Sequence, residues 1–205
     1  DALTPPLRWP ESDRLEDWGL LPTKPDWAGG FAVWTPGEVG AWPALRDFLP
    51  AVSRYDHDRN FPSIVGSSRL SPHLHFGEIS PASVWYQVAG HARAAGEPYL
   101  REIGWRDFAN NVIDMFPDYA VRNGRAAFDG FPWRDDEAGF RAWTTGRTGY
   151  PIVDAGMREL WTTGWMHNRV RMIAASFLIK HLLIDWRRGE RWFWDTLVDA
   201  DYANN

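Results

Sequence analysis

Residues 148–186, TGYPIVDAGMRELWTTGWMHNRVRMIAASFLIKHLLIDW, limit what this chain can fold into more than any other stretch. They hold two patterns of helical period joined by an aromatic turn. The first, Ile152 to Thr163, stops at Gly164, a residue suited to a left-handed C-cap. The second, His167 to His181, is nearly all apolar past Met172, as expected of a helix in the middle of a domain. Asn168, Arg171 and Met172 fall on one face of that second helix. A polar cluster beside an otherwise apolar helix points to a pocket.

The remaining segments read as further helices and irregular connections. Residues 1–40 are rich in Pro and Gly and show no sustained period, the signature of a linker or wrapping segment. Trp9, Trp18, Trp27 and Trp34 are spread through it, and the residues around them do not recur, so they read as anchors of an irregular segment to a larger body. Pro43 is expected to open a helix whose stripe is Leu45, Phe48, Leu49 and Val52, with Pro50 kinking or stopping it before Tyr55. Ser80 followed by Pro81 reads as an N-cap and first helical residue, the helix running to about Ala95. Pro98 opens another, with Leu100, Ile103, Phe108 and Val112 as buried positions. The last helix spans about Arg188 to Val198. Strand-like alternation is scarce, so the fold class is mainly α.

Composition narrows the chemistry. At 205 residues the chain can bury a real core. Its 14 Trp and 11 Phe must fill that core or line a site for flat ligands. The absence of Cys excludes disulfides, thiolate nucleophiles and Cys-ligated metal centres, and fits a reducing, cytoplasmic setting. No run reaches the ~18 apolar residues of a membrane span, so no membrane partner is expected. The net charge of −5 is uneven: residues 1–60 hold 10 acidic and 6 basic groups, while the remainder is nearly balanced. A basic groove for nucleic acid on the later part stays possible.

Several polar groupings stand out. In SSRLSPHLHFGEISP, Ser67, Ser68 and Ser71 flank Arg69, and together they offer hydroxyls, N–H groups and a guanidinium to a phosphate; a loop stabilised by its own side chains is the competing reading. His73 and His75 read as structural, since no third ligand completes a metal set, and no metal is expected. Glu102, Trp105, Arg106 and Asn110 share a helical face, which spacing alone would also give a surface Glu–Arg pair beside a half-buried Trp. Asp199 and Asp201 sit at a helix C-terminus that disfavours acids, suggesting a partner cation or a ligand donor. GxSxG, HExxH, P-loop and GxGxxG signatures are missing. The combination fits an aromatic, phosphate-bearing cofactor in a helical pocket.

TGYPIVDAGMREL (148–160) and NRVRMIAASFLIKHLLIDWR (168–187) resemble both signature segments of the class I DNA photolyase and cryptochrome family. SSRLSPHLHFGEISP and DADYANN are similar to its flavin-site loops. The resemblance covers roughly residues 40–205 and is most like a bacterial cyclobutane pyrimidine dimer photolyase. It implies a multi-helical FAD-binding domain over 41–205, cut short at its C-terminal end, preceded by an interdomain linker over 1–40. An N-terminal antenna domain, with its own antenna chromophore, is expected of full-length members and precedes no residue here.

Carried over by position, the resemblance assigns Tyr55, Ser67, Ser68, Arg69, Leu70 and Ser71 to the FAD phosphate and ribityl region. Arg106 joins the cofactor residues, Arg171 pairs with Asp199, Asp201 accepts from the flavin N3–H, and Asn205 lies at flavin N5. Glu102 and Trp105 would touch the damaged bases, with Asn168 and Met172 lining the same cavity. Trp186 and Trp133 match the middle and surface members of a three-tryptophan electron-transfer chain whose proximal member would follow Asn205. The implied activity is light-driven splitting of pyrimidine dimers in DNA by electron transfer from excited reduced FAD, in a monomer. Met172 and Asn205 favour this over the alternatives, a cryptochrome-type blue-light photoreceptor without repair activity or a helical interaction domain that has lost FAD.

Overall fold

The computed structural model describes residues 8, 11–21 and 23–204, so Trp9 and Asn205 lie outside the described residues. The described part is helical, without strands. None of its helices is long and apolar enough to cross a membrane, and none of its His, Asp or Glu residues cluster as a metal site.

Helix α1 runs over Glu38–Phe48, starting five residues before the proline expected to open it. Gly37, at φ 86°, turns the chain into the helix, and Pro43 lies inside it. A Cβ on Gly40 would sit 1.7 Å from the Thr35 carbonyl oxygen, so only glycine allows this entry. Pro50 marks a change of pitch: the α-helix ends at Phe48, and a 3-10 segment, Leu49–Arg54, leads into the single turn α2, Tyr55–Asp58. A further turn, α3, covers Ser71–His75.

Helix α4, Pro81–Ala92, is capped by Ser80, whose hydroxyl accepts from the Ser83 N–H at 3.0 Å. Helix α5, Glu97–Met115, buries Tyr99, Leu100 and Ile103. Phe108, expected inside, is 57% exposed. At ~100° per residue it lies about 140° round the helix from Ile103, and apolar character does not override that angle. These elements share one core, with Leu45, Phe48, Val52, Val84 and Val88 at its centre.

A second core is built from α6 (Glu137–Thr144), α7 (Pro151–Thr163), α8 (Asn168–Lys180) and α9 (Trp186–Thr196). Trp143 is fully buried there and donates its indole N–H to the Ala174 carbonyl at 2.9 Å. Asp154 organises the start of α7, accepting from the Thr148 N–H, the Thr148 hydroxyl and the Gly149 N–H at 2.7, 2.6 and 3.0 Å. Helix α8 buries Val170, Ala174, Phe177 and Leu178, a single stripe at i, i+4, i+7 and i+8. Met172 and Ile173, on the other side, are 56% and 39% exposed, so α8 is not surrounded as its composition suggests.

The early segment is fastened to this second core at its end. Residues Gly29–Val33 form a 3-10 turn against α7, and Trp34 donates its indole N–H to the Thr163 carbonyl at 2.7 Å. Gly164, at φ 70°, caps α7, and Phe31 and Val198 crowd the position a Cβ would take. Trp34 is thus an anchor, while Trp18 and Trp27 stay exposed.

Candidate functional site

A cleft of about 630 Å³ opens between the two cores. Residues 67–71 form one wall. Arg69 has φ 52°, a left-handed conformation uncommon for a residue with a Cβ, and such strain concentrates where a backbone is shaped for a ligand. Its guanidinium carbon lies 4.6 Å from the centre of the Trp165 ring. Ser68 is held from two sides: its oxygen accepts from the Tyr99 hydroxyl at 2.9 Å and from the Leu70 N–H at 3.3 Å. Tyr55 and Tyr99 meet edge to face behind this loop, and burial pushes the Tyr55 hydroxyl up to about 12.

The opposite wall comes from α8 and the chain after α9. Arg171 donates to both Asp199 oxygens, at 3.3 and 3.4 Å, and to the Met166 carbonyl at 3.3 Å. Asp199 is buried, and this contact with Arg171 gives it a counter-charge at the helix end that disfavours it. Among the described residues Asp201 accepts from Arg106 at 3.1 Å, the Asn204 amide at 3.0 Å, His75 Nδ1 at 3.5 Å, and the N–H groups of Ala203 and Asn204 at 2.9 and 3.3 Å. Burial alone would raise its pKa, but these donors outweigh it and hold the carboxyl below its usual value.

At the mouth, Glu102 is ion-paired with Arg59 and half exposed. Trp105 is 58% exposed and meets Phe108 edge to face. Asn168 and Met172 are exposed on α8. Asn110, expected on the same face as Glu102, instead donates to the Arg106 carbonyl of its own helix and lines neither cleft. Arg169 reaches across from α8 to the Asn60 amide oxygen, at 3.1 and 2.7 Å from its Nε and Nη2.

A second, more apolar cavity of about 490 Å³ adjoins the first along α8 and α9. Asn168, Arg171, Tyr202 and Asn204 line both. The pair offers hydroxyls and a guanidinium at one end and Met172, Phe193 and Trp194 at the other. Such an arrangement suits a ligand with phosphates at one end and a flat ring at the other. The two electron-transfer candidates are not joined by ring contact among the described residues. Trp133 packs on Phe131, and Trp186 donates its indole N–H to the Asn123 amide at 2.8 Å.

The structure therefore brings Tyr55, residues 67–71, Glu102, Trp105, Arg106, Asn168, Arg171 and Asp199 to one cleft, with Asp201 and Met172 in the adjoining one; Asn205 is not described. Sequence reasoning missed Arg59, Tyr99, Trp165 and Asn204. It also read His75 as structural, although this residue contacts Asp201. Tyr99 does precede Glu102 and Arg106 by three and seven positions on α5, a helical spacing that could have found it, whereas Arg59, Trp165 and Asn204 reach the site from other segments and share no period with it.

A helical domain in which a loop of hydroxyls and one guanidinium faces Asp199 and Asp201 has the polar and apolar ends that suit a nucleotide-type cofactor. Residues 99–205 match the family model described as the FAD binding domain of DNA photolyase. A deoxyribodipyrimidine photo-lyase of Agrobacterium fabrum is 56% identical over 210 residues, covering 100% of this chain and 44% of that protein. Cryptochrome-1 of Sinapis alba is 43% identical over 183 residues, 82% of this chain and 36% of its own length. The crystal structure of a bacterial class III photolyase from Agrobacterium tumefaciens superposes with a TM-score of 0.93 at 56% identity, over 98% of this chain and 43% of that one. The chain belongs to the DNA photolyase and cryptochrome family and contains its FAD-binding domain. It spans less than half the length of these relatives.

Proposed function

We propose that the protein carrying this chain is a light-driven DNA repair enzyme that binds FAD in this cleft and splits cyclobutane pyrimidine dimers. The observation that carries this reading is the convergence of residues 67–71, Arg171–Asp199 and Asp201 around joined cavities whose mouth holds Glu102, Trp105, Asn168 and Met172. Bound FAD would supply the light absorption and one-electron chemistry that these side chains lack. Ser67, Ser68, Arg69, Leu70 and Ser71 orient its phosphates, with Tyr55 behind them. Arg171, held by Asp199, brings a positive charge near the ring system. Asp201 accepts from the flavin N3–H. A carboxylate has about four lone-pair sites, so the flavin N3–H competes with the donors already on Asp201, of which His75, at 3.5 Å, is the weakest held. Asn205, outside the described residues, is assigned to flavin N5 by its position in the family motif alone.

The exposed Trp105 ring is free to stack on a base flipped from the duplex, the route by which photolyases reach their target. Glu102, with Arg59 as its counter-charge, accepts a hydrogen bond from the same base. Met172 and Asn168 bound the lesion cavity. Trp186 and Trp133 serve flavin photoreduction, and an antenna chromophore belongs to a domain outside this chain.

The test is direct. Reduced full-length protein is given an oligonucleotide with one cyclobutane thymine dimer under blue light, and thymine absorbance is followed. Recovery supports repair; none with FAD bound overturns it. The cryptochrome likeness over 82% of the chain favours a second reading, a photoreceptor without repair, and that outcome would promote it. Glu102→Ala is expected to slow repair at least tenfold with FAD still bound; loss of FAD would move Glu102 to the cofactor site.

A further inference from the structure

We infer that Tyr99 is a positioning residue which sets Ser68 as an obligate hydrogen-bond donor toward the phosphate end of the cleft. This rests on the FAD reading above and deepens it. Tyr99 is 4% exposed and packs against Phe48 and Tyr55, with ring centres 4.7 and 5.0 Å away. Its hydroxyl is buried, and its only hydrogen-bond partner among the described residues is the Ser68 oxygen at 2.9 Å. A buried phenol that donated to nothing would forfeit a bond, so the proton lies toward Ser68. The Leu70 N–H, at 3.3 Å, takes the second lone pair.

A serine hydroxyl has two acceptor lone pairs and one donor. With both lone pairs engaged, Ser68 has only its O–H left to offer. That hydrogen can go only to an acceptor, and Ser68 lines the cleft where a phosphate oxygen would supply one. A hydroxyl free to rotate would lose part of this bond to disorder and to competing water. Tyr99, which also lines the cleft, removes that freedom through its bond to the Ser68 oxygen and so makes the loop selective for acceptor groups. Burial raises the Tyr99 pKa, so the phenol keeps its proton at working pH.

The experiment measures FAD and riboflavin affinity, by flavin fluorescence, for FAD-free full-length protein carrying Tyr99→Phe, Ser68→Ala or both. Riboflavin has the ring and ribityl chain but no phosphate. Tyr99→Phe keeps the ring packing and is expected to weaken FAD about tenfold while leaving riboflavin affinity unchanged, the size of one charge-assisted hydrogen bond. In the Ser68→Ala background it should add nothing. Tyr99→Phe binding FAD like the wild type, weakening both flavins equally, or adding its full effect to Ser68→Ala overturns the inference. A wild-type protein that binds no FAD overturns the cofactor reading instead. Melting temperatures separate lost packing from lost positioning, because a packing defect weakens both flavins alike.

Discussion

Asp199 shows what a single charge does in this fold. Its side chain is 5% exposed, and that of its partner Arg171 is 13% exposed, so neither is well hydrated. Removing one member of such a pair leaves the other buried beside an altered partner, which typically costs about 3 kcal/mol. Asp199→Ala is expected to lower unfolding free energy by roughly that amount, measured by urea denaturation of the FAD-free protein. A loss below about 1 kcal/mol would mean that the pair behaves like an exposed surface contact. Arg59 and Glu102 make the contrasting case. Glu102 is half exposed, so Glu102→Ala should disturb stability far less than it disturbs the mouth of the site.

At the scale of elements, α8 depends on an unusual cap. His167 is buried, and its Nδ1 accepts from the Arg169 N–H at 3.2 Å, a role open only to the neutral ring. Burial, followed by the charges of Arg169 and Arg59, holds its pKa below the ordinary 6.5. The unfolded chain therefore takes up the proton first. The stabilisation is present above about pH 6.5 and is lost as pH falls through the lower folded-state value. His167→Asn, which caps without titrating, should flatten the stability profile between about pH 7 and 5 while leaving unchanged the further loss below about pH 4, where the lowered Asp154 and Asp201 carboxyls progressively take up protons. Urea midpoints across this range check it, and an unchanged slope in His167→Asn would count against the cap. The turn before α8 is as exacting: Gly164→Ala places a Cβ against Phe31 and Val198 in a left-handed residue, at an expected cost of about 2 kcal/mol.

For the whole molecule, the cleft lies between two separate cores, so a ligand that spans it couples them. FAD at 100 times its dissociation constant should stabilise the folded protein by about 2.7 kcal/mol. Thermal melts with and without FAD would show this as a rise in midpoint and, where the cores melt separately without FAD, as their merging into one transition. The rim carries Arg59 and Arg169 despite the overall negative charge of the chain. If three phosphates are neutralised, affinity for dimer-containing DNA should fall about 40-fold between roughly 50 and 200 mM salt. Salt-independent binding would rule out phosphate contact.

The helices α4, α7 and α8 were legible because their ends carry local chemistry: Ser80–Pro81 at one start and Gly164 at one stop need no partner to act. The serine loop was legible from its residue types as one of two readings, and the resemblance chose between them; the Arg171–Asp199 pair was legible only through motif resemblance, since 28 positions separate the two charges and no period links them. The start of α1 was misplaced because Pro43 looked like a beginning, whereas the close approach of Gly40 to Thr35 decided it. Arg59, Trp165 and Asn204 reach the site from three different segments, and local sequence does not encode a meeting of that kind. Periodicity and capping are interactions within a few residues, so sequence alone determined which segments are helical and where most of them end. The cleft exists because two cores pack at a distance from each other in the chain, and only tertiary structure decided which side chains face one another across it.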